Sequence, residues 1–377
     1  MPADQEIGLF FRERYGKETI FLPSGRLGLY LALREWLRPG QEVLMSSVND
    51  DVIFFTVLAA GLIPMIGPLD PRTGNLDPDS VDEATWRRVS AVITTNLYGI
   101  PDQMEQLVEI CRRHSVFLIE DACQALDSHF GGRRIGEFSS VAVFSLSKHI
   151  NGVGGVLAFS EAQRLPSLLS RVQAEILRRP ITTTLKDAVR PVLRSLTKSA
   201  GRRVKQLLFQ PKKERPEHRM EYVLEQVLEA SAAGFGLERF DRWIGIDNAN
   251  YRTMPSTQAV ASTLRQLKDF DENRQRRIEG TRRLLGLGLT PPDLPIREDS
   301  ALFRVPLFVR DRESVIRRFA EQDLKLDYVY DPPLDVYAAP ELAKRIPSPA
   351  EAERWSRSVL PVDPLRADRF LELWDTT

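Results

Sequence analysis

The chain has 377 residues, with 52 Lys plus Arg against 52 Asp plus Glu and only two cysteines, Cys111 and Cys123. That length suits a substantial core and two domains, while the balanced charge excludes a global field for nucleic acid. Both cysteines sit in apolar-periodic surroundings with no metal-ligand spacing, as expected of a reduced, cytoplasmic compartment. The first residues, Met1-Pro-Ala-Asp-Gln-Glu6, lack the basic start and apolar core of an export signal. The least polar run, Val52 to Ile66, is interrupted by Gly61 and Pro64 and is too short to span a bilayer.

In chain order, a short helical lead-in is followed by Ser24-Gly25, which opens a helix to Leu37 closed by Pro39-Gly40. The free amides at its start can hold an anion. A strand at Val43 to Met45, a buried helix at Ile53 to Ala60 and a strand at Ile63 to Ile66 come next. Ala91 to Thr95 reads as a strand, and Asp102 is expected to cap a helix from Gln103 to His114. Glu105 completes a capping-box-like arrangement there, and Met104, Leu107, Val108 and Cys111 share one face. Val116 to Ile119 is a continuous apolar run, as in a strand buried on both faces of a parallel sheet. Strands alternating with amphipathic helices at this spacing predict an α/β domain.

The Val116 strand ends in Glu120-Asp-Ala-Cys-Gln124, and carboxylates at such strand ends point into the crevice where parallel sheets bind ligands. From Val141 an apolar strand enters Ser145-x-x-Lys148, a Gly-rich turn follows at Gly152 to Gly155, and a second strand reaches Phe159. A lysine delivered by a strand end into a tight turn is expected to be partly desolvated. Desolvation lowers its pKa and makes the amine a nucleophile toward carbonyls. A Schiff base with pyridoxal phosphate needs such a lysine, together with an acid to keep the pyridine nitrogen protonated. Asp121 is the candidate for that acid.

Ser24-Gly25, Glu120-Asp-Ala-Cys-Gln124 and Phe144-Ser-Leu-Ser-Lys148 together resemble the fold-type-I pyridoxal-phosphate enzymes, and more narrowly the DegT/DnrJ/EryC1/StrS sugar aminotransferase family. Pro39-Gly40, Leu97-Tyr-Gly99, Gly132-Arg-Arg-Ile-Gly136, Asn250-Tyr-Arg252, Gln258-Ala259, Asp331-Pro-Pro-Leu334 and Leu360-Pro361 extend the likeness over nearly the whole chain, apart from about residues 161–240. The resemblance implies a large domain with a mostly parallel sheet over residues 1–250 and a smaller C-terminal α/β domain over 251–377. It also implies an enzyme with pyridoxal 5′-phosphate as cofactor. Lys148 would hold the cofactor as a Schiff base and shuttle a proton, Asp121 would pair with the pyridine nitrogen, and Gln124 would contact the ring hydroxyl. The amides of Gly25 and Arg26, the Ser145 hydroxyl and Asn250 of a neighbouring subunit would hold the phosphate, implying a homodimer with shared sites. The reaction implied moves an amino group from a glutamate- or glutamine-like donor to a keto-sugar, cyclitol or related acceptor.

The sequence departs from the family at three pocket positions. Arg26 replaces a threonine, Asn49 or Asp50 stands where an aromatic ring stacks on the cofactor, and Asp335 replaces a histidine. Two alternatives therefore stay open: elimination or bond formation at a β or γ carbon, and a non-catalytic sensor or binding protein. His149 is either a second acid/base group or a turn histidine bonded to backbone.

Residues 164–219 hold fifteen Lys or Arg against four Asp or Glu. Leu185, Val189, Val192, Leu193, Leu196, Ala200, Val204 and Leu207 recur at helical spacing among basic residues, predicting a basic amphipathic helix. Its apolar stripe either packs on the domain or dimer partner, or lies on an anionic membrane surface. Thr257 to Leu285 reads as one long helix. A strand at Leu302 to Val309, a helix from Glu313 to Gln322 and a last helix after Pro364 complete the chain. Arg304 and Tyr328 are within conceivable reach of a substrate, but both residue types are more often structural.

Overall fold

The structure is a computed structural model that describes residues 1–178, 219–291, 293–297, 299–326, 330–347 and 349–374. The basic amphipathic segment centred on Leu185 to Leu207, and Tyr328, lie outside the described residues. Twelve strands occur among the described residues: β1 (Glu18–Leu22), β2 (Glu42–Ser46), β3 (Ile63–Gly67), β4 (Ala91–Ile93), β5 (Phe117–Asp121), β6 (His129–Phe130), β7 (Arg133–Arg134), β8 (Val141–Ser145), β9 (Gly155–Phe159), β10 (Val305–Phe308), β11 (Lys344–Arg345) and β12 (Val359–Val362). Eight form one sheet in the order β1-β9-β8-β5-β4-β2-β3-β11. β9 runs antiparallel to β8 and β1, and every other neighbour pair is parallel.

Helices cover both faces of this sheet, and the pleat decides which side chain serves which face. In β8, Val141 and Val143 enter a cluster with the helices Gly25–Trp36 and Asp51–Ala59, while Ala142 and Phe144 enter the opposite cluster. That second cluster contains Ile7 and Phe11 of the helix Ala3–Tyr15, Leu107 of Met104–His114 and Leu267 of Thr257–Lys268. Leu44 separates from Val43 and Met45 of β2 in the same way. β8 and its neighbours are thus fixed by apolar contact on two sides, and their ends form a rigid platform.

A smaller antiparallel pair, β10 with β12, packs with Leu284, Phe319 and Phe370 in a core of its own. Lys344 and Arg345 return from this C-terminal part to pair with Met65 and Ile66 at the edge of the main sheet.

Two local expectations are corrected. The span 257–285 is two helices, Thr257–Lys268 and Phe270–Leu285, separated at Asp269. Leu267 and Phe270 belong to the core under the main sheet and Leu284 to the smaller core, so the two halves serve different packing partners. Asp102 does not cap the helix that follows; the residue at the cap is Gln103, without a side-chain bond, and Glu105 makes no capping-box bond. The Asp102 carboxylate instead accepts from the amides of Leu76 (3.3 Å), Thr95 (2.9 Å) and Asn96 (2.8 Å), folding the loop after β4 onto itself. Burial pushes this carboxyl up to about 6 despite those bonds.

Candidate active site

Because β2, β4, β5 and β8 are parallel, their carboxyl ends open at one edge, where loops from all four strands meet. Asp121 is the last residue of β5, and Lys148 lies in the single helical turn Leu146–His149 that leaves β8. Register β5–β8, with Asp121 opposite Val143, brings the two into electrostatic contact. Asp121 is buried, and its Oδ1 accepts from the Cys123 amide at 2.9 Å. Burial raises its pKa, while the Lys148 charge and the Cys123 amide pull it back down and Asp50 pushes it further up.

Lys148 departs from the expectation that desolvation would leave it with a lowered pKa. Burial does work in that direction, but Tyr330, Cys123, Asp50 and Asp121 outweigh it, and the amine is held above its ordinary value. The lysine thus keeps its proton among acidic neighbours. Gln124 sits between two tyrosines, its Oε1 accepting from the Tyr98 amide at 3.1 Å and its Nε2 donating to the Tyr330 hydroxyl at 2.9 Å. His149 is fully enclosed, and its Nε2 bonds the Gln124 carbonyl at 2.9 Å, so Nε2 is the protonated nitrogen. Burial, with Arg277 nearby, lowers its pKa to about 3. This is the backbone-bonded turn histidine of the two sequence alternatives.

Arg277 supports the same turn from the C-terminal part. It is 2% exposed, and it donates to the carbonyls of His149 (3.2 Å), Leu302 (3.3 Å) and Phe303 (3.3 Å) and pairs with Asp363 at 3.3 Å. Arg304 pairs with the same Asp363 at 3.0 Å and lies over the Phe303 ring, a structural placement.

The other end of the pocket is the start of the helix Gly25–Trp36. Ser24 caps it, accepting from the Leu27 amide at 3.3 Å while donating to the Tyr251 carbonyl at 2.9 Å. The Gly25 backbone passes so close to β5 and β8 that a Cβ there would lie 2.8 Å from Cys123 Sγ, 3.3 Å from the Phe144 carbonyl and 3.5 Å from Ser145 Cβ. Ser145 and Ser147 pair their hydroxyls at 3.0 Å. The Arg26 side chain turns away to the Ile244 carbonyl and to Asp247, at 2.7 Å, leaving only its amide at the helix start. Asn250 lies on an exposed turn, its carbonyl accepting from Thr253.

The wall above the strand ends is built from three segments far apart in sequence. Asn49 donates to Thr95 Oγ1 at 3.1 Å, and Asp50 caps the helix Asp51–Ala59 through the Val52 amide at 3.0 Å. The Ser47 carbonyl accepts from the Leu334 amide at 2.7 Å, which fixes the start of the turn Leu334–Tyr337 carrying Asp335. Burial pushes the Asp335 carboxyl up against the pull of the amides of residues 335 and 336, Arg345 and Arg219. Arg219, from the edge of the basic stretch, enters between these segments; neither it nor Tyr330 stood out in the sequence. Tyr330 adjoins the Asp331-Pro-Pro-Leu334 phrase, a signal that could have flagged it, whereas Arg219 sits among many basic residues with no motif.

A mostly parallel sheet in this strand order, with a lysine following β8 and a buried aspartate ending β5, defines the class of fold-type-I pyridoxal-phosphate enzymes. Residues 11–162 match the DegT/DnrJ/EryC1/StrS aminotransferase family, and through this segment the chain belongs to that family. The dTDP-3-amino-3,4,6-trideoxy-alpha-D-glucose transaminase of Streptomyces venezuelae is 36% identical over 157 residues, covering 40% of each chain. The dTDP-4-dehydro-2,6-dideoxy-D-glucose 3-dehydratase of Saccharopolyspora spinosa is 32% identical over 122 residues, 32% of this chain and 26% of that one. The aligned part therefore spans well under half the length of these curated relatives. A DegT DnrJ EryC1 StrS aminotransferase from Brucella abortus shares the fold over all of this chain and 90% of its own, with a TM-score of 0.69 at 19% identity.

Pyridoxal 5′-phosphate is the cofactor of this family, and the residues present fit it. The site offers one lysine coupled to one buried carboxylate, a side-chain amide held beside a tyrosine hydroxyl, and a helix start with free amides facing two serine hydroxyls. The narrow approach at Gly25, which a Cβ would fill, is the kind of backbone contact a phosphate cradle requires.

Proposed function

We propose that the protein is a pyridoxal-phosphate-dependent aminotransferase that moves an amino group from a glutamate- or glutamine-like amino acid to a keto group on a sugar, cyclitol or related biosynthetic intermediate. The observation that carries this reading is the meeting of Lys148, Asp121 and Gln124 at adjacent strand ends, across from the start of the helix at Gly25. When bound, the cofactor supplies an electron sink for charge developing on the substrate carbon. Asp121 Oδ2 faces the position of the pyridine nitrogen and holds a proton there; its buried, acid-crowded setting favours retaining that proton. Lys148 Nζ holds the cofactor and, once released, carries the proton at the reacting carbon. Gln124, itself fixed by Tyr98 and Tyr330, orients the ring hydroxyl. The amides of Gly25 and Arg26 and the Ser145 hydroxyl bind the phosphate. Asn250 of a second copy completes the cradle in a homodimer with shared sites. In this reading residues 1–250 form the cofactor domain and 251–377 the smaller one, and the enzyme works in the cytoplasm on small molecules.

A second reading, elimination at the acceptor sugar, is favoured by the polar loop Asn49-Asp50 in place of a stacking ring and by the dehydratase among the relatives. Mass analysis of products separates the two: gain of an amino group supports transfer, loss of water supports elimination.

The first test is the visible absorbance of the purified protein with pyridoxal phosphate, followed by borohydride reduction and peptide mapping. The expected result is a yellow protein whose reduced label sits on Lys148. A colourless protein, or label spread over surface lysines, would overturn the reading.

A further inference from the structure

Arg219 is 9% exposed, and its guanidinium is held from several sides. Its Nε donates to the Pro332 carbonyl and its NH2 to the Tyr330 carbonyl at 3.3 Å. The rings of Tyr337 and Tyr330 lie 5.2 and 5.8 Å from its centre. The next residue is tied on both sides: the Met220 amide donates to Asp51 Oδ2 at 3.1 Å, and the Met220 carbonyl accepts from the Tyr337 hydroxyl at 2.6 Å. The side edge of the planar fork is therefore spent on two carbonyls. Its end, NH1, is buried and has no hydrogen-bond partner among the described residues.

A buried guanidinium with a whole N–H₂ group unused is costly unless an acceptor meets it. The acceptor has to be anionic and planar to match the fork, which describes a carboxylate. Arg219 also faces the same two groups as the catalytic lysine: Asp50 and Tyr330 bear on both Arg219 and Lys148. The nearby carboxylates do not close the position. Asp50 accepts from the Val52 amide and Asp51 from the Met220 amide, both at the start of the nine-residue helix Asp51–Ala59, whose amides offset their charge.

We propose that Arg219 NH1 is the docking point for a substrate carboxylate at this site, the carboxylate of the amino-acid donor. The assignment rests on the aminotransferase reading for the donor's identity, whereas the carboxylate subsite itself stands without it. An acidic acceptor sugar would present the same chemistry, and the two half-reactions distinguish these sources.

The test uses the holoenzyme and two unreactive probes of one shape, glutarate and its neutral diamide, glutaramide. Glutarate is expected to raise the thermal midpoint of the wild-type protein and glutaramide to leave it in place. Arg219→Met is expected to weaken glutarate binding roughly 10- to 100-fold, the range for one charge-assisted bond, and Arg219→Lys to keep part of it. Should the methionine variant fold poorly, the contrast between glutarate and glutaramide on the wild type still decides. Equal response to both probes, or glutarate binding within twofold in Arg219→Met, would overturn the proposal. Single-turnover absorbance then assigns the source: a rise in apparent Kd confined to the donor half supports the donor carboxylate, and one confined to the acceptor half overturns that assignment. Absence of a borohydride-trapped label on Lys148 would sink the aminotransferase reading while leaving the glutarate result intact.

Discussion

The strand-end platform and the wall above it were built in opposite ways. Asp121 and Lys148 sit at the ends of adjacent strands, so one β5–β8 register and a short turn bring them together. The wall draws Asp50 from the loop after β2, Arg219 from beyond the basic stretch and Tyr330 from the C-terminal part, and bonds such as Ser47 to Leu334 and Asp51 to Met220 hold it. A platform fixed by sheet register can carry chemistry that tolerates no displacement. A wall fixed by scattered polar bonds can change its substrate without disturbing that chemistry.

The sharpest way to break this contrast is to remove the platform's lysine. Lys148→Ala is expected to lower amino transfer by roughly 10⁴-fold or more, measured by steady-state assay with cofactor present; substantial residual transfer would place the chemistry elsewhere. Next in size is Arg277, which ties the Lys148 turn to the smaller core. Arg277→Met strands the carbonyls of His149, Leu302 and Phe303 and the Asp363 charge, and should cost about 3–5 kcal/mol in denaturant unfolding. A cost near zero would mean that the turn is held by β8 alone.

Gly25→Ala probes the closeness of the cradle. Its Cβ meets Cys123 Sγ at 2.8 Å, so about 1–3 kcal/mol of stability should be lost. The additional change Cys123→Ala should recover part of it, and a double mutant no better than the single would point to the Phe144 carbonyl as the real obstacle.

The smallest effect is a pH slope. His149 titrates near 6.5 when unfolded but is held to about 3 when folded. Its contribution is therefore fully present above pH 6.5 and is lost as pH falls toward 3, by at most about 1.4 kcal/mol per unit. Asp102, raised from 3.8 to about 6, acts with the opposite sign between those values, losing stability as pH rises. The informative measurement is the difference between wild type and His149→Asn from pH 7 to 4, which should shrink on acidification. A constant difference would show that His149 is not held neutral.

Much of the scaffold was legible because its signals are local. The apolar runs at Val141 to Phe144 and Val116 to Ile119 announce strands buried on both faces, and Ser24-Gly25 announces a capped helix start. The failures came where a local sign had a distant competitor. Asp102 carries a capping residue's chemistry, yet the amides of residues 76, 95 and 96 took its carboxylate. Asp269 lies inside a continuous helical pattern, which two separate cores divided. Lys148 looked like a desolvated amine, but the acidic groups around it come from loops after β2 and β5 and from residue 330.

By itself, then, the sequence determined the order of strands and helices, the α/β class and the order in which Ser24-Gly25, Asp121 and Lys148 occur, because periodicity, capping and turn chemistry act over a few residues. Tertiary structure decided which groups share the pocket, the protonation of Lys148 and the unspent donors of Arg219. Those properties depend on burial and charge from segments more than a hundred residues apart, and no local pattern encodes them.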